Sequence, residues 1–269
     1  MNNFRQLLKS AGGQPPIGTW IASASSLVAE AVGHAGFDWA VIDMEHSPLD
    51  MMDLVHMLQA LAGTKMVPVV RVPWNDAVPV KRVLDAGATT VLFPYIQSAD
   101  EARAAVASTR YPPVGVRGVS SMSRATRYGT QPTLMRTANQ HMGVIAQLET
   151  PKGLQALEDI GRVDGVDALF IGPADLAANM GHPGETTHPK VLEAMSGAVQ
   201  RARALGRPIG TIGGAPDAVA QYRAMQFDFI AVSSDLGLLM RGAQSVVQSL
   251  RTADNTSHVH YLSTGTRTD

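Results

Sequence analysis

The chain contains no cysteine. That excludes disulfides, thiolate metal ligands and cysteine nucleophiles, and it suits a reducing cytosol. An excess of either charge is also missing, because 22 Lys and Arg face 23 Asp and Glu for a formal net charge of −1. Such a balance offers no electrostatic footprint for nucleic acid or an acidic membrane. No apolar run approaches the ~18 residues of a membrane span. The start of the chain, Met1 to Lys9, lacks the apolar stretch of a secretory signal, so a cytoplasmic protein is expected. Lysine is scarce as well: Lys9, Lys65, Lys81, Lys152 and Lys190 make up the whole set. None falls inside an apolar run, where a desolvated Schiff-base lysine would sit. Carbanion chemistry here would need a metal as its electron sink.

What the chain does have is core material, with 45% hydrophobic and 17% charged residues, the balance of a globular fold. Its 269 residues suit either two domains or one α/β barrel of about 250 residues. Eight short apolar runs decide between them. They are Ile17–Ile21, Trp39–Ile42, Val67–Val70, Thr90–Phe93, Gly143–Leu148, Ala168–Ile171, Pro208–Ile212 and Phe229–Val232. Each is continuous rather than alternating, as in strands buried on both faces. Segments of helical spacing separate them, and Gly36, Gly87 and Gly206 sit where a helix must stop before the next strand. Eight strands interleaved with helices predict a (β/α)8 TIM barrel. No linker divides the chain, so residues 1–251 read as one domain, with extra structure at about 110–142 and 177–188. The polar stretch 252–269 reads as a tail, either disordered or an arm ordered by a neighbouring subunit.

Barrel chemistry occurs at the carboxyl ends of strands, and five of the eight ends carry ionisable groups. Strand 2 ends in Asp43-Met44-Glu45-His46, strand 3 in Arg71, strand 5 in Gln147-Leu148-Glu149, strand 6 in Gly172-Pro173-Ala174-Asp175 and strand 8 in Asp235. Buried charges must pair or bind something. Glu149 and Asp175 end neighbouring strands, where two converging carboxylates suit a hard divalent ion such as Mg²⁺ or Mn²⁺. Pairing with arginines, or capping the next helix, is the alternative. Asp43, three residues before His46, is expected to fix its tautomer and leave the other nitrogen as a base. Arg71 suits a carboxylate or a developing enolate, with an internal salt bridge as its other reading. The Gly172–Asp175 loop offers free backbone N–H groups to a carboxylate. His182, His188, His258 and His260 read as surface residues.

These residues, in this order, resemble the HpcH/HpaI family of metal-dependent (class II) pyruvate aldolases. The matching segments are Ile17-Gly18-Thr19-Trp20, Phe37-Asp38-Trp39 through His46, and Val70-Arg71-Val72-Pro73. Gly115-Val116-Arg117-Gly118-Val119, Gln147-Leu148-Glu149-Thr150 and Phe170 through Leu176 continue the pattern. The resemblance spans roughly residues 5 to 250. Met44 departs from it, standing where glycine is frequent, with a side chain expected at the pocket's edge. The resemblance implies Glu149 and Asp175 as metal ligands, with Mg²⁺ or Mn²⁺ as the ion and Co²⁺ or Zn²⁺ as alternatives. It implies His46 as the base, oriented by Asp43, with Arg71 stabilising the enolate and Gln147 assisting near the metal. Gly172, Pro173, Ala174 and Asp175 would hold the pyruvate carboxylate, and Ser123 and Arg124 would be further substrate contacts. The activity implied is reversible cleavage of a 4-hydroxy-2-oxoacid to pyruvate (or hydroxypyruvate) and an aldehyde. Oxaloacetate decarboxylation and acyl-CoA-linked lyase chemistry are the rivals on the same site, and a silent oxoacid-binding barrel is the non-enzymatic one. A final helix exchanged with a neighbour in a homo-oligomer, a hexamer or trimer, is implied too.

Overall fold

Eight parallel strands, each hydrogen-bonded to its neighbours in chain order, close into a barrel: β1 (Ile17–Ile21), β2 (Trp39–Asp43), β3 (Val67–Arg71), β4 (Thr90–Phe93), β5 (Gly143–Leu148), β6 (Ala168–Ile171), β7 (Ile209–Gly213) and β8 (Phe229–Ser234). This computed structural model describes the backbone of residues 2–263 and the side chains of residues 2–251. The helices are α1 (Asn3–Ser10), α2 (Ser26–Gly33), α3 (Met51–Leu61), α4 (Ala77–Asp85), α5 (Ala99–Ser108), α6 (Pro132–His141), α7 (Pro151–Gln155), α8 (Leu157–Gly161), α9 (Pro173–Asn179), α10 (Pro189–Ala204), α11 (Pro216–Ala224) and α12 (Asp235–Ser263). The expected TIM barrel is what the chain forms. The stretch read as a polar tail from residue 252 instead continues α12 to Ser263, while 264–269 and the side chains of His258 and His260 lie outside the described residues.

Period-2 alternation sorts the strand residues into two cores. Trp39, Val41, Val69, Leu92, Ile145, Ala168, Phe170, Phe229 and Ala231 point into the barrel. Their neighbours Ala40, Ile42, Val70, Val91, Phe93, Val144 and Ala146 face the helices. Five aromatics, Phe4, Trp20, Trp39, Phe170 and Phe229, pack together inside the barrel. Trp39 lies 5.5 Å from Phe229 and 6.3 Å from Trp20, ring centre to ring centre. Space for these rings comes from Gly18 and Gly210, where a Cβ would stand 2.3 Å from Trp39 and from Phe229 respectively.

The amino end of the barrel is plugged by α1, an element with no counterpart among the expected helices. Phe4 is fully buried and packs edge-on against Trp39 and Phe229. Asn2 caps α1 by accepting from Phe4 N–H and Arg5 N–H, while its amide donates to the carbonyls of Thr89 and His141. Those two carbonyls lie at the start of β4 and the end of α6. One buried asparagine thus fastens the plug to the barrel floor.

Candidate active site

The alternation that fills the barrel also aims its polar residues. Asp43 continues the inward series of Trp39 and Val41, Arg71 that of Val69, and Gln147 and then Glu149 that of Ile145. At the carboxyl ends of the strands the inward positions turn from apolar to polar, and there a cleft of about 510 Å³ opens. Asp43, His46, Arg71, Gln147, Glu149, Gly172, Pro173, Ala174 and Asp175 all line it, so the structure brings together nine of the expected site residues. Trp20, Thr186, Ser233 and Ser234 join them.

Asp43 and Arg71 form the rigid pair of the site. They are register partners on adjacent strands, and the guanidinium donates through Nε at 2.9 Å and Nη2 at 2.7 Å to the two Asp43 oxygens. Nη1 of Arg71 lies 3.1 Å from Glu45 Oε2, and the Trp20 ring sits 5.5 Å from the guanidinium carbon. Burial works against the Arg71 charge, but the bond to Asp43 and the charges of Asp43, Glu45 and Glu149 outweigh it and raise the pKa. A bidentate fork held this way is a fixed positive wall.

This geometry corrects the expected role of Asp43. Its carboxylate does not engage the His46 ring: it is spent on Arg71 and on the backbone N–H groups of Glu45 and His46, at 3.0 and 3.4 Å. The His46 side chain is 64% exposed at the rim, with Nε2 3.8 Å from Glu45 Oε1. Sequence spacing passed over Glu45. Burial pushes its carboxyl up to about 7 against the opposing pull of Arg71, with Asp43 and Asp175 adding to the rise. The available signal was its place between Asp43 and His46.

Glu149 is buried and held on both oxygens. Tyr95 N–H donates to Oε1 at 2.7 Å, and Gln147 Nε2 donates to Oε2 at 2.5 Å. Tyr95 reaches this position with φ of 57°, a left-handed conformation that costs a non-glycine residue of order 1–3 kcal/mol. Burial nevertheless raises the Glu149 carboxyl to about 7; the Gln147 and Tyr95 bonds oppose the rise, and the charges of Asp175 and Glu45 add to it. Gln147 Oε1 is buried with no hydrogen-bond partner among the described residues. The Glu149 carboxylate, with the charge of Asp175 acting on it, and the unpaired amide oxygen of Gln147 form an all-oxygen donor set that fits a hard divalent cation. Gly172 leaves room for them: a Cβ there would stand 2.5 Å from Glu149 Oε2 and 3.2 Å from Gln147 Nε2.

Ser123 and Arg124 are not brought to the cleft. The Arg124 guanidinium donates to Ala86 O and Leu58 O, beside the carboxyl ends of α4 and α3. Helices run antiparallel to strands, so those carbonyls lie at the opposite end of the barrel, where their partial negative charge attracts a cation. Met44 also departs from expectation, since it packs against the outer core rather than lining the cleft.

Comparison with known proteins agrees with this architecture. The family model for HpcH/HpaI aldolase/citrate lyase matches residues 16–242. The chain is 46% identical over 236 residues to 2-dehydro-3,6-dideoxy-6-sulfogluconate aldolase of Pseudomonas putida, covering 88% of this chain and 92% of that one. It is 43% identical over 267 residues to 4-hydroxy-2-oxo-heptane-1,7-dioate aldolase of Klebsiella pneumoniae, covering 97% and 100%. A crystal structure of an HpcH/HpaI aldolase/citrate lyase family protein from Burkholderia cenocepacia superposes with a TM-score of 0.90 at 41% identity, covering 93% and 100%. With most of its length inside the match and its barrel shared, the chain belongs to the HpcH/HpaI aldolase/citrate lyase family.

Proposed function

We propose that the protein is a carbon–carbon lyase that reversibly cleaves a 4-hydroxy-2-oxoacid to pyruvate, or hydroxypyruvate, and an aldehyde. Membership of an aldolase family supports this reading, and the observation that carries it is the convergence of Glu149, Asp175, Gln147 and Arg71 on one cleft. Glu149 and Asp175 are the residues that would hold a divalent cation, Mg²⁺ or Mn²⁺, with Co²⁺ or Zn²⁺ as alternatives. When bound, such a cation supplies Lewis-acid polarisation of the substrate's keto oxygen.

The protein groups divide the remaining work. The 2-oxoacid carboxylate is received by the N–H groups of Ala174 and Asp175, which precede the first intrahelical bond of α9, Leu176 N–H to Gly172 O. His46, at the rim, accepts the 4-hydroxyl proton as the C3–C4 bond breaks and C4 becomes the aldehyde carbon. The bonding pair passes into an enolate, whose negative charge faces the Arg71 guanidinium. Return of a proton to C3 completes pyruvate, and condensation runs the same steps backwards. Such base catalysis contributes ~10²–10⁴-fold. Asp43 acts through Arg71 and through the backbone that carries His46.

Residues 1–251 would act as one cytoplasmic catalytic unit within a homo-oligomer, a hexamer or trimer. Supporting the last point, α12 leaves Leu239 and Leu250 65% and 63% exposed, more apolar surface than a solvated helix needs. Aldehydes incubated with pyruvate or hydroxypyruvate, with and without chelator, test the reading. Metal-dependent formation of a hydroxyoxoacid is expected. Substrate trapped on a lysine by borohydride, or turnover indifferent to chelation, would overturn it.

A further inference from the structure

The segment between α9 and α10 takes no part in the chemistry above, yet it is built with care. His182 N–H donates to Ala177 O at 2.8 Å, closing α9, with Gly181 at φ 85°. Two turns follow in succession, Glu185 N–H to His182 O at 3.0 Å and His188 N–H to Glu185 O at 2.9 Å. Bonds that join residues three apart eclipse the side chains at those positions. His182, Glu185 and His188 therefore project from one side. Their ligating atoms lie within 4.8 Å of one another, and the two imidazole rings stack with centres 3.5 Å apart. Pro183 and Pro189 restrict the backbone at both ends of this arrangement.

We propose that His182, Glu185 and His188 form a second cation site, separate from the carboxylate centre and selective for a borderline transition metal such as Zn²⁺ or Co²⁺. Two imidazoles and one carboxylate are a ligand set such ions favour, with water in the fourth position. The all-oxygen set of Glu149 and Asp175 favours the harder Mg²⁺ or Mn²⁺. Two ligands ~2.1 Å from a tetrahedral ion stand roughly 3.4 Å apart, so the cluster must contract by about 1 Å. The exposed Glu185 side chain supplies part of that movement, and a splaying of the stacked rings supplies the rest. Lys190 N–H donates to His188 Nδ1 at a long 3.3 Å, a bond the ion replaces if it takes that nitrogen. Thr186, between the ligands, lines the catalytic cleft. An ion here clips one wall of the cleft to the helix that carries Asp175.

Cobalt titration separates the two sites by stoichiometry and by colour, since a tetrahedral nitrogen-ligated Co²⁺ absorbs in the visible. The Glu149→Gln/Asp175→Asn chain is expected to retain one equivalent of Co²⁺, and so is the wild type held in large Mg²⁺ excess. Adding His182→Gln or Glu185→Gln to the carboxylate variant removes that equivalent, with near-UV circular dichroism reporting intact packing. Absence of bound Co²⁺ in both the carboxylate variant and the Mg²⁺-saturated wild type overturns the proposal. So does Co²⁺ that stays bound when His182→Gln and Glu185→Gln are combined. Neither outcome bears on the aldolase reading, which stands or falls on turnover.

Discussion

Replacing Gly172 by alanine should disturb metal binding while leaving every proposed ligand side chain in place. At φ −87° and ψ 96° the position accepts any L-residue, so backbone strain is not the issue. Space is. The new Cβ would stand 2.5 Å from Glu149 Oε2, where ordinary contact begins at 3.4 Å, so the carboxylate must retreat by about 1 Å. That retreat breaks or stretches the bonds from Gln147 Nε2 and Tyr95 N–H that orient it. Loss of a ligand's orienting partners typically costs ~10–100-fold in metal affinity, and a misplacement of about 1 Å costs about 10²-fold in rate. Folding stability falls by about 1–3 kcal/mol through the disturbed hydrogen bonds of the buried carboxylate, offset in part by the ~0.4–1 kcal/mol that the methyl group returns by restricting the unfolded chain. Calorimetric titration of the divalent cation, with urea unfolding alongside, measures both quantities. Wild-type cation affinity and turnover in Gly172→Ala would refute the assignment of Glu149 as a ligand held in place by its surroundings.

Proton competition gives a second test. Glu149 holds its proton to about pH 7 in the metal-free chain, so lowering the pH from 8 to 6 should weaken cation binding roughly tenfold; a pH-independent affinity would contradict it. For stability the sign follows from Glu45 and Glu149 being raised from 4.5 to about 7. Protonation favours the folded form, so metal-free stability falls as pH rises across that window, which urea midpoints at successive pH values will show. Asp43→Ala removes the bidentate partner of the buried Arg71 guanidinium, leaving it the Glu45 contact, and should cost about 3 kcal/mol. His46→Ala, at an exposed position, should change stability by less than about 0.5 kcal/mol while lowering turnover ~10²–10⁴-fold. Asn2→Ala removes the cap of α1 and its ties to the barrel floor, an expected loss of about 2 kcal/mol in urea unfolding.

The strands were legible because each is an unbroken apolar run, but four of them extend past the point where hydrophobicity stops. β2 ends at Asp43, β3 at Arg71, β7 at Gly213 and β8 at Ser234. The polar residues of the site still belong to the ladder, so a reading by hydrophobicity ends each strand just before its chemistry. The same blindness misassigned Asp43. Local spacing points to His46, three residues away, whereas the true partner is Arg71, 28 residues away and directly across the β2–β3 register. Arg124 lies in an insertion with no apolar period, and nothing in the sequence says at which end of the barrel that insertion packs. α1 is eight residues long and buries Phe4 fully, with Leu7 and Leu8 only partly buried against the inner core, and the signal that could have found it was the cap at Asn2.

The plug formed by Phe4, Trp39 and Phe229 has a kinetic meaning. With the floor of the barrel sealed, the cleft at the strand ends has one mouth, and substrate and both products share it. Release is then expected to be ordered, the molecule at the rim near His46 leaving before the one held against Gly172 and Asp175, and condensation is expected to load the inner partner first. An excess of the outer partner would trap the inner one in place.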